Sequence, residues 1–171
     1  MGHLISKDGI KPTQSRIQSV HDTPAPRNRQ ELPSFLGMVS YNAKFMPSLS
    51  HTLNPLYQLL KKNTKWMWKT EHQTAFTTVK RLLCQECMLV HYDINKPLKL
   101  FCDASQKGLG ACLVYVMLNG EERPVAYTSR LLSPAEQHYA QIEREALAII
   151  FAVCRFHQFL YGRTFTLVTD H

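Results

Sequence analysis

The 171-residue sequence has no stretch near the roughly 20 uninterrupted apolar residues that a membrane-spanning helix needs. Its opening residues, MGHLIS, lack the basic start and apolar core of a secretion signal. Those two absences leave the cytosol or nucleus as the expected setting, with no membrane partner. A disulfide framework is also missing, because the five cysteines (Cys84, Cys87, Cys102, Cys112 and Cys154) are odd in number and scattered. Only Cys84 and Cys87, in CQEC, have metal-like spacing. A zinc site needs about four ligands, and no second CxxC or HxxxH accompanies them, so structural cysteines are expected instead. Internal repeats and low-complexity segments are absent as well.

What the chain does have is charge, unevenly placed. The net charge of +7 divides into +8 for residues 1–101, with 14 Lys/Arg against 6 Asp/Glu, and −1 for residues 102–171, with 6 against 7. A basic part beside a mildly acidic one suggests backbone binding in the first and cation binding in the second. A solvated basic surface with no partner accounts for the charge equally well.

Residues 9–13 (GIKPT) suit a turn, and residues 13–20 a short helix with Ile17 and Val20 on one face, broken by TPAP at 23–26. Asn28 can cap a following helix whose apolar stripe is Leu32, Phe35, Leu36, Val39 and Phe45, provided it starts late enough to admit Pro33. Pro47 and Pro55 bracket another short helical stretch ending at residue 60, before the basic KKNTK of 61–65. After WMW at 66–68, TEHQ at 70–73 has capping-box spacing and opens a helix through Ala75, Phe76, Val79, Leu82 and Leu83. Residues 1–90 therefore suggest small packed helices. Their aromatic and basic residues suit a grip on a nucleic-acid backbone, although Trp and Phe at helical spacing more often form core.

Past residue 90 the pattern changes to strands at 98–102, 109–117 and 123–128, with Asn119-Gly120 a hairpin signal between the second and third. SPAE at 133–136 combines an N-cap, a proline at the first helical position and a capping-box glutamate. It predicts a long helix to about Leu160, stopped by Gly162 and followed by a fourth strand over 164–169 that ends at Asp170. Right-handed crossover lets that strand lie parallel to an earlier one. The expected class is α/β (α+β): a helical subdomain over 1–90, then a mixed sheet over 91–171 with three antiparallel strands, a long helix and a fourth, parallel strand.

If the fourth strand lies beside the first, Asp103 and Asp170 both end strands at one edge of the sheet, where open α/β sheets place ligands. On the long helix, Glu145 shares a sector with Ile142, Ala148, Ile149, Ala152 and Phe156, an apolar face expected to pack on the sheet. An unpaired buried carboxylate costs several kcal/mol, so an acid there should be protonated, paired or bound to cations. Glu143 points roughly the other way, onto a face that Leu147, Ile150 and Cys154 make partly apolar too. Three converging carboxylates suit Mg²⁺ or Mn²⁺, and two such ions would serve phosphodiester hydrolysis. The alternative is that Asp103 and Asp170 are turn residues and Glu145 pairs with an arginine.

With those positions in hand, the chain resembles the pol polyprotein of Gypsy-type long-terminal-repeat retrotransposons over nearly its full length. The segments CDASQKGLGACL and RPVAYTSRLLSPAEQHYAQIEREALAIIFAVCRFHQFLYGRTFTLVTDH look like the start of the RNase H domain. GHLISKDGIKP, PAPRNRQELPSFLGMVSYNAKFMPSLS, PLYQLLKKNTKWMW and AFTTVKRLL look like the thumb or connection segment that joins polymerase to RNase H. The resemblance implies that Asp103, Glu145 and Asp170 are three of four acids that bind two Mg²⁺ (or Mn²⁺) ions and cut the RNA strand of RNA–DNA hybrids, and it selects Glu145 over Glu143. Family members usually have Thr where Cys102 stands, and Pro33, Asn42 and Ala43 replace residues that are commonly polar or aromatic and basic. No Tyr-x-Asp-Asp stretch of a polymerase palm occurs, so reverse transcription by this chain is not expected. With His171 last, the fifth strand, later helices and fourth acid are expected to be missing, which makes hydrolysis weak or lost and leaves an open sheet edge for association. A non-catalytic nucleic-acid-binding module and a domesticated interaction protein are the alternatives.

Overall fold

The computed structural model describes residues 3–84 and 88–169. The chain opens on a hairpin, β1 (His3–Ser6) and β2 (Gly9–Pro12), where a turn and helices were expected. Four helices follow: α1 (Gln14–Asp22), α2 (Leu32–Ser40), α3 (Leu49–Gln58) and α4 (Thr70–Cys84). The late start of α2 agrees with the sequence, since Pro33 falls in its first turn, where a missing N–H costs nothing. Asn28 caps the turn before that helix, its Oδ1 accepting the N–H groups of Gln30 and Glu31 at 2.9 and 3.0 Å. Pro55 does not bracket α3 but lies inside it, where it cannot donate to the carbonyl of the exposed His51. The cap expected at Thr70 falls one residue earlier, where the Lys69 N–H donates to Nδ1 of buried His72 at 2.9 Å.

One apolar core gathers Val20, Leu32, Phe35, Val39, Leu53, Leu56, Phe76 and Val79 from the four helices. A second gathers Leu98, Leu100, Leu113, Tyr115, Ala148, Ala152 and Phe156. It lies between a four-stranded sheet and α5 (Gln141–Arg155).

That sheet comprises β3 (Leu98–Ala104), β4 (Gly108–Val116), β5 (Glu122–Leu131) and β6 (Phe165–Val168), in the order β5-β4-β3-β6. The first three form an antiparallel meander, and β6 runs parallel to β3 with Leu98 opposite Phe165 and Phe101 opposite Val168. The mixed α/β class and the parallel fourth strand agree with the sequence reading.

The helix expected over 133–160 is shorter and arrives in pieces. Ser133 and Glu136 do form their reciprocal bonds (2.7 and 3.3 Å), but these open only a 3-10 turn at Glu136–His138. Tyr139 and Ala140 are then extended, with ψ of 148° and 161°. Glu143 restarts the helix by accepting the Ala140 N–H at 2.7 Å. A last turn, α6 (His157–Leu160), stops at Gly162, whose φ of 70° is the left-handed conformation a helix stop favours. The apolar face of α5 is also narrower than expected, because Ala148, Ala152 and Phe156 are buried while Ile142 is 68% exposed.

Candidate functional site

The β3 strand alternates: Leu98, Leu100 and Cys102 are buried in the core beneath α5, whereas Lys99 and Phe101 are half-buried and Asp103 is exposed. Asp103 is the penultimate residue of the strand, opposite Gly110 of β4. Across from it, α5 brings Glu145, three residues ahead of Ala148, which is buried against the sheet. Asp103 and Glu145 line one small pocket of ≈ 90 Å³ together with Cys102, Ala104, Gln141, Ala148 and Thr169.

No Lys or Arg is among the described residues lining that pocket. Gln141, one turn before Glu145, donates from Nε2 to its Oε1 at 2.8 Å and so orients the carboxylate. Burial pushes the Cys102 thiol up to about 11, so it stays protonated and offers no thiolate at the site. The donors are thus carboxylate oxygens, the type that hard divalent cations prefer.

Of the three acids named from the sequence, the structure brings Asp103 and Glu145 to one pocket, while Asp170 lies outside the described residues. Among the described residues no group of three His, Cys, Asp or Glu side chains is placed to hold a metal ion. The paired Cys84 and Cys87 cannot be compared, since Cys87 is also outside them. Glu143 has a different job from Glu145, because its carboxylate caps α5. Gln141 was not singled out in the sequence, although its i, i+4 spacing to Glu145 on a helix was available as a signal. The other acids of the sheet region are held in structural pairs. Lys99 donates to Glu122 at 2.7 Å, Arg123 to Glu121 at 3.0 and 3.1 Å, and Arg130 to Glu136 at 2.8 and 2.9 Å.

Gly108 and Gly110 flank Leu109 at the start of β4 but differ in the space around them. A Cβ on Gly108 would lie 2.9 Å from the backbone oxygen of Arg130, whereas one on Gly110 would meet nothing within 4 Å. Only the first is required by its neighbour.

A mixed sheet whose first and fourth strands run parallel, covered on one face by a helix, defines a mixed α/β class. The chain belongs to the RNase H-like domain family found in reverse transcriptase, whose family model matches residues 68–167. It is 35% identical to the retrovirus-related Pol polyprotein from transposon 297 of Drosophila melanogaster, over 100% of this chain and 16% of that protein. It is also 35% identical to the transposon Tf2-3 polyprotein of Schizosaccharomyces pombe, over 100% of this chain and 13% of that protein. The chain thus spans about a sixth or less of these relatives. Two solved structures share the fold over 100% of the chain at 22% identity. They are the foamy viral protease-reverse transcriptase with RNA/DNA hybrid (TM-score 0.83, 23% of that chain) and with dsDNA (TM-score 0.84, 36% of that chain). No helix among the described residues is long and apolar enough to cross a membrane.

Proposed function

We propose that the sheet region is a retrotransposon RNase H-type site that cuts the RNA strand of RNA–DNA hybrids, with Asp103, Glu145 and Asp170 as its acids. The observation that carries this reading is the convergence of Asp103 and Glu145 on one pocket. Asp170 follows Val168, the residue paired with Phe101, by the same two positions that separate Phe101 from Asp103, which supports its inclusion. Asp103 and Glu145 would hold Mg²⁺ or Mn²⁺, and their oxygen donors fit such ions. When bound, a pair of these cations supplies water activation and stabilisation of the leaving oxygen. The chain's own part is to fix the carboxylates: Asp103 by the β3–β4 pairing, Glu145 by the Gln141 amide and the packing of α5. A hybrid-cleavage assay in Mg²⁺ and in Mn²⁺ tests this. Asp103→Asn should lower cleavage by more than about 100-fold, beyond the 10–100-fold typical of losing a partner outside the ligand set. Undiminished cleavage by that variant sinks the assignment.

A second reading, nucleic-acid binding without cleavage, is favoured by the +8 charge of residues 1–101. Arg16 stacks on Tyr41 at 4.1 Å, His3 lies parallel to the same ring at 5.0 Å, and Lys44 sits over Phe45 at 5.1 Å. This basic and aromatic face would hold hybrid or duplex backbone with an affinity that falls steeply with salt. The two separate apolar cores support a division into a helical subdomain over 1–90 and an RNase H-like one over 91–171. The exposed Leu167 on β6, at the end of the sheet, supports association through that edge.

A further inference from the structure

A crevice of ≈ 190 Å³ opens on the sheet face opposite α5, and its lining joins the two regions of the molecule. Its floor is a row of paired residues crossing all four strands, Val168 opposite Phe101, Phe101 opposite Cys112, and Cys112 opposite Tyr127. The next row is Asp103, Gly110 and Ser129. Because Gly110 has no side chain and open space above it, a pit remains between the Asp103 carboxylate and Ser129.

The roof belongs to the helical region. Pro47 and Ser48 close over the pit, and the Ser50 N–H donates to Ser129 Oγ at 3.0 Å, fixing roof to floor. Ser48 holds a left-handed backbone (φ 49°, ψ 28°), costly for a residue with a side chain, and its hydroxyl makes no cap bond to α3. Strained residues of this kind gather at ligand clamps. Burial pushes the Cys112 thiol up to about 12, so the floor is neutral as well as largely apolar.

We propose that this crevice is a binding site for one neutral, planar, amino-bearing heteroaromatic ring, with the nucleobase guanine the chemical type that fits. Its volume corresponds to about six waters at ~30 Å³ each, the scale of a ring system rather than a whole nucleotide. Phe101, Tyr127, Val168 and Pro47 offer apolar surface to a flat ring, while Asp103 at the rim accepts hydrogen bonds. Guanine presents two adjacent N–H donors to one carboxylate, inosine's base keeps one of them, and uracil has no amino group. Asp103 lines both this crevice and the pocket shared with Glu145, so the ring and a cation would compete for its carboxylate, and binding of the ring does not require a cation.

Amide NMR spectra of the full chain, titrated with guanosine, inosine, uridine and a single-stranded oligonucleotide ending in guanosine, test it in the absence of divalent ions. Guanosine should shift the signals of Asp103, Gly110 and Cys112, with inosine and uridine weaker. The oligonucleotide should shift the same signals if the ring arrives on a strand end. Gly110→Val fills the pit, and Cβ has free space there and valine suits a strand, so the fold should survive. It should weaken guanosine by about tenfold or more. Absence of guanosine shifts at millimolar concentration, equal binding of all three nucleosides, equal binding by Gly110→Val with its melting temperature retained, or shifts with the oligonucleotide alone would each overturn the proposal. Should Gly110→Val unfold, Ser48→Gly provides the second test. It relaxes the roof at a compatible φ, and a change in guanosine affinity supports the site while no change counts against it.

Discussion

The helical region and the sheet region use their polar side chains differently. In the helical region the short polar groups hold backbone. Asn28 closes the turn before α2, Glu31 accepts the Arg27 N–H at 2.8 Å, and His72 caps α4. At its surface Arg16 lies on the exposed Tyr41 ring. In the sheet region Glu121, Glu122, Glu136 and Glu143 hold a cation or a backbone N–H, while Asp103 and Glu145 share one pocket. The difference teaches that an acid's task can be read from its partners: Glu136 on Arg130 and Glu143 on the Ala140 N–H hold the fold.

The sharpest way to break the comparison is to damage one core and watch the other. Leu53→Ala in the helical core and Leu100→Ala in the sheet core should each cost about 2–5 kcal/mol. Both leucines are at most 1% exposed. Because α3 packs on β5 and Ser50 is bonded to Ser129, each variant should lower a single shared thermal transition. Two transitions, with only one displaced, would show that the regions unfold independently.

Next in size is Gly108→Ala, expected to cost about 1–3 kcal/mol because the new methyl meets strand backbone that cannot turn aside. Chemical denaturation measures it, and Gly110→Ala serves as the reference that should change little. Smaller again, Glu143→Ala should cost about 1 kcal/mol through loss of the cap on α5. Hybrid cleavage per folded molecule should stay the same, so a cleavage defect in this variant would blur the distinction between Glu143 and Glu145.

The smallest effect is a pH dependence. The Arg130 guanidinium and the Ser133 N–H hold the Glu136 carboxyl down at about 2, against an ordinary 4.5. A depressed folded-state value means the stabilisation is present above pH 4.5 and is lost as pH falls toward 2. For a pair this close to solvent it amounts to under about 1 kcal/mol. A melting-temperature series from pH 6 to 2 should show that loss, and Glu136→Gln should flatten it.

Much of this architecture was legible beforehand, for identifiable reasons. The meander announced itself through alternation and Asn119-Gly120, and α5 through its apolar stripe, because both signals are local and periodic. The β1–β2 hairpin was not visible. Leu4 and Ile5 are 49% and 71% exposed, so no buried face imprinted a pattern on them. The break at Tyr139–Ala140 was hidden because Ser133 and Glu136 form a genuine box that leads only to a short turn. At the site, Asp103 and Glu145 were legible as acids in apolar surroundings. Gln141 and the crevice roofed by Pro47 and Ser48 depend on contacts across the fold that a linear pattern does not record.

The hairpin also bears on the order in which the molecule can assemble. The Ile10 and Leu89 backbones bond to each other in both directions, at 2.7 and 2.9 Å, and the Val90 N–H continues the link to the Pro124 carbonyl. Gly9 sits so close to the Leu89 oxygen that an added Cβ would be 2.3 Å away. A two-stranded hairpin is marginal by itself. The hairpin gains its third strand partner from residues nearly eighty positions further along the chain. Closing that long loop belongs to the late, slow part of folding. Residues 88–90 thus serve as the clasp that secures the hairpin to the sheet region.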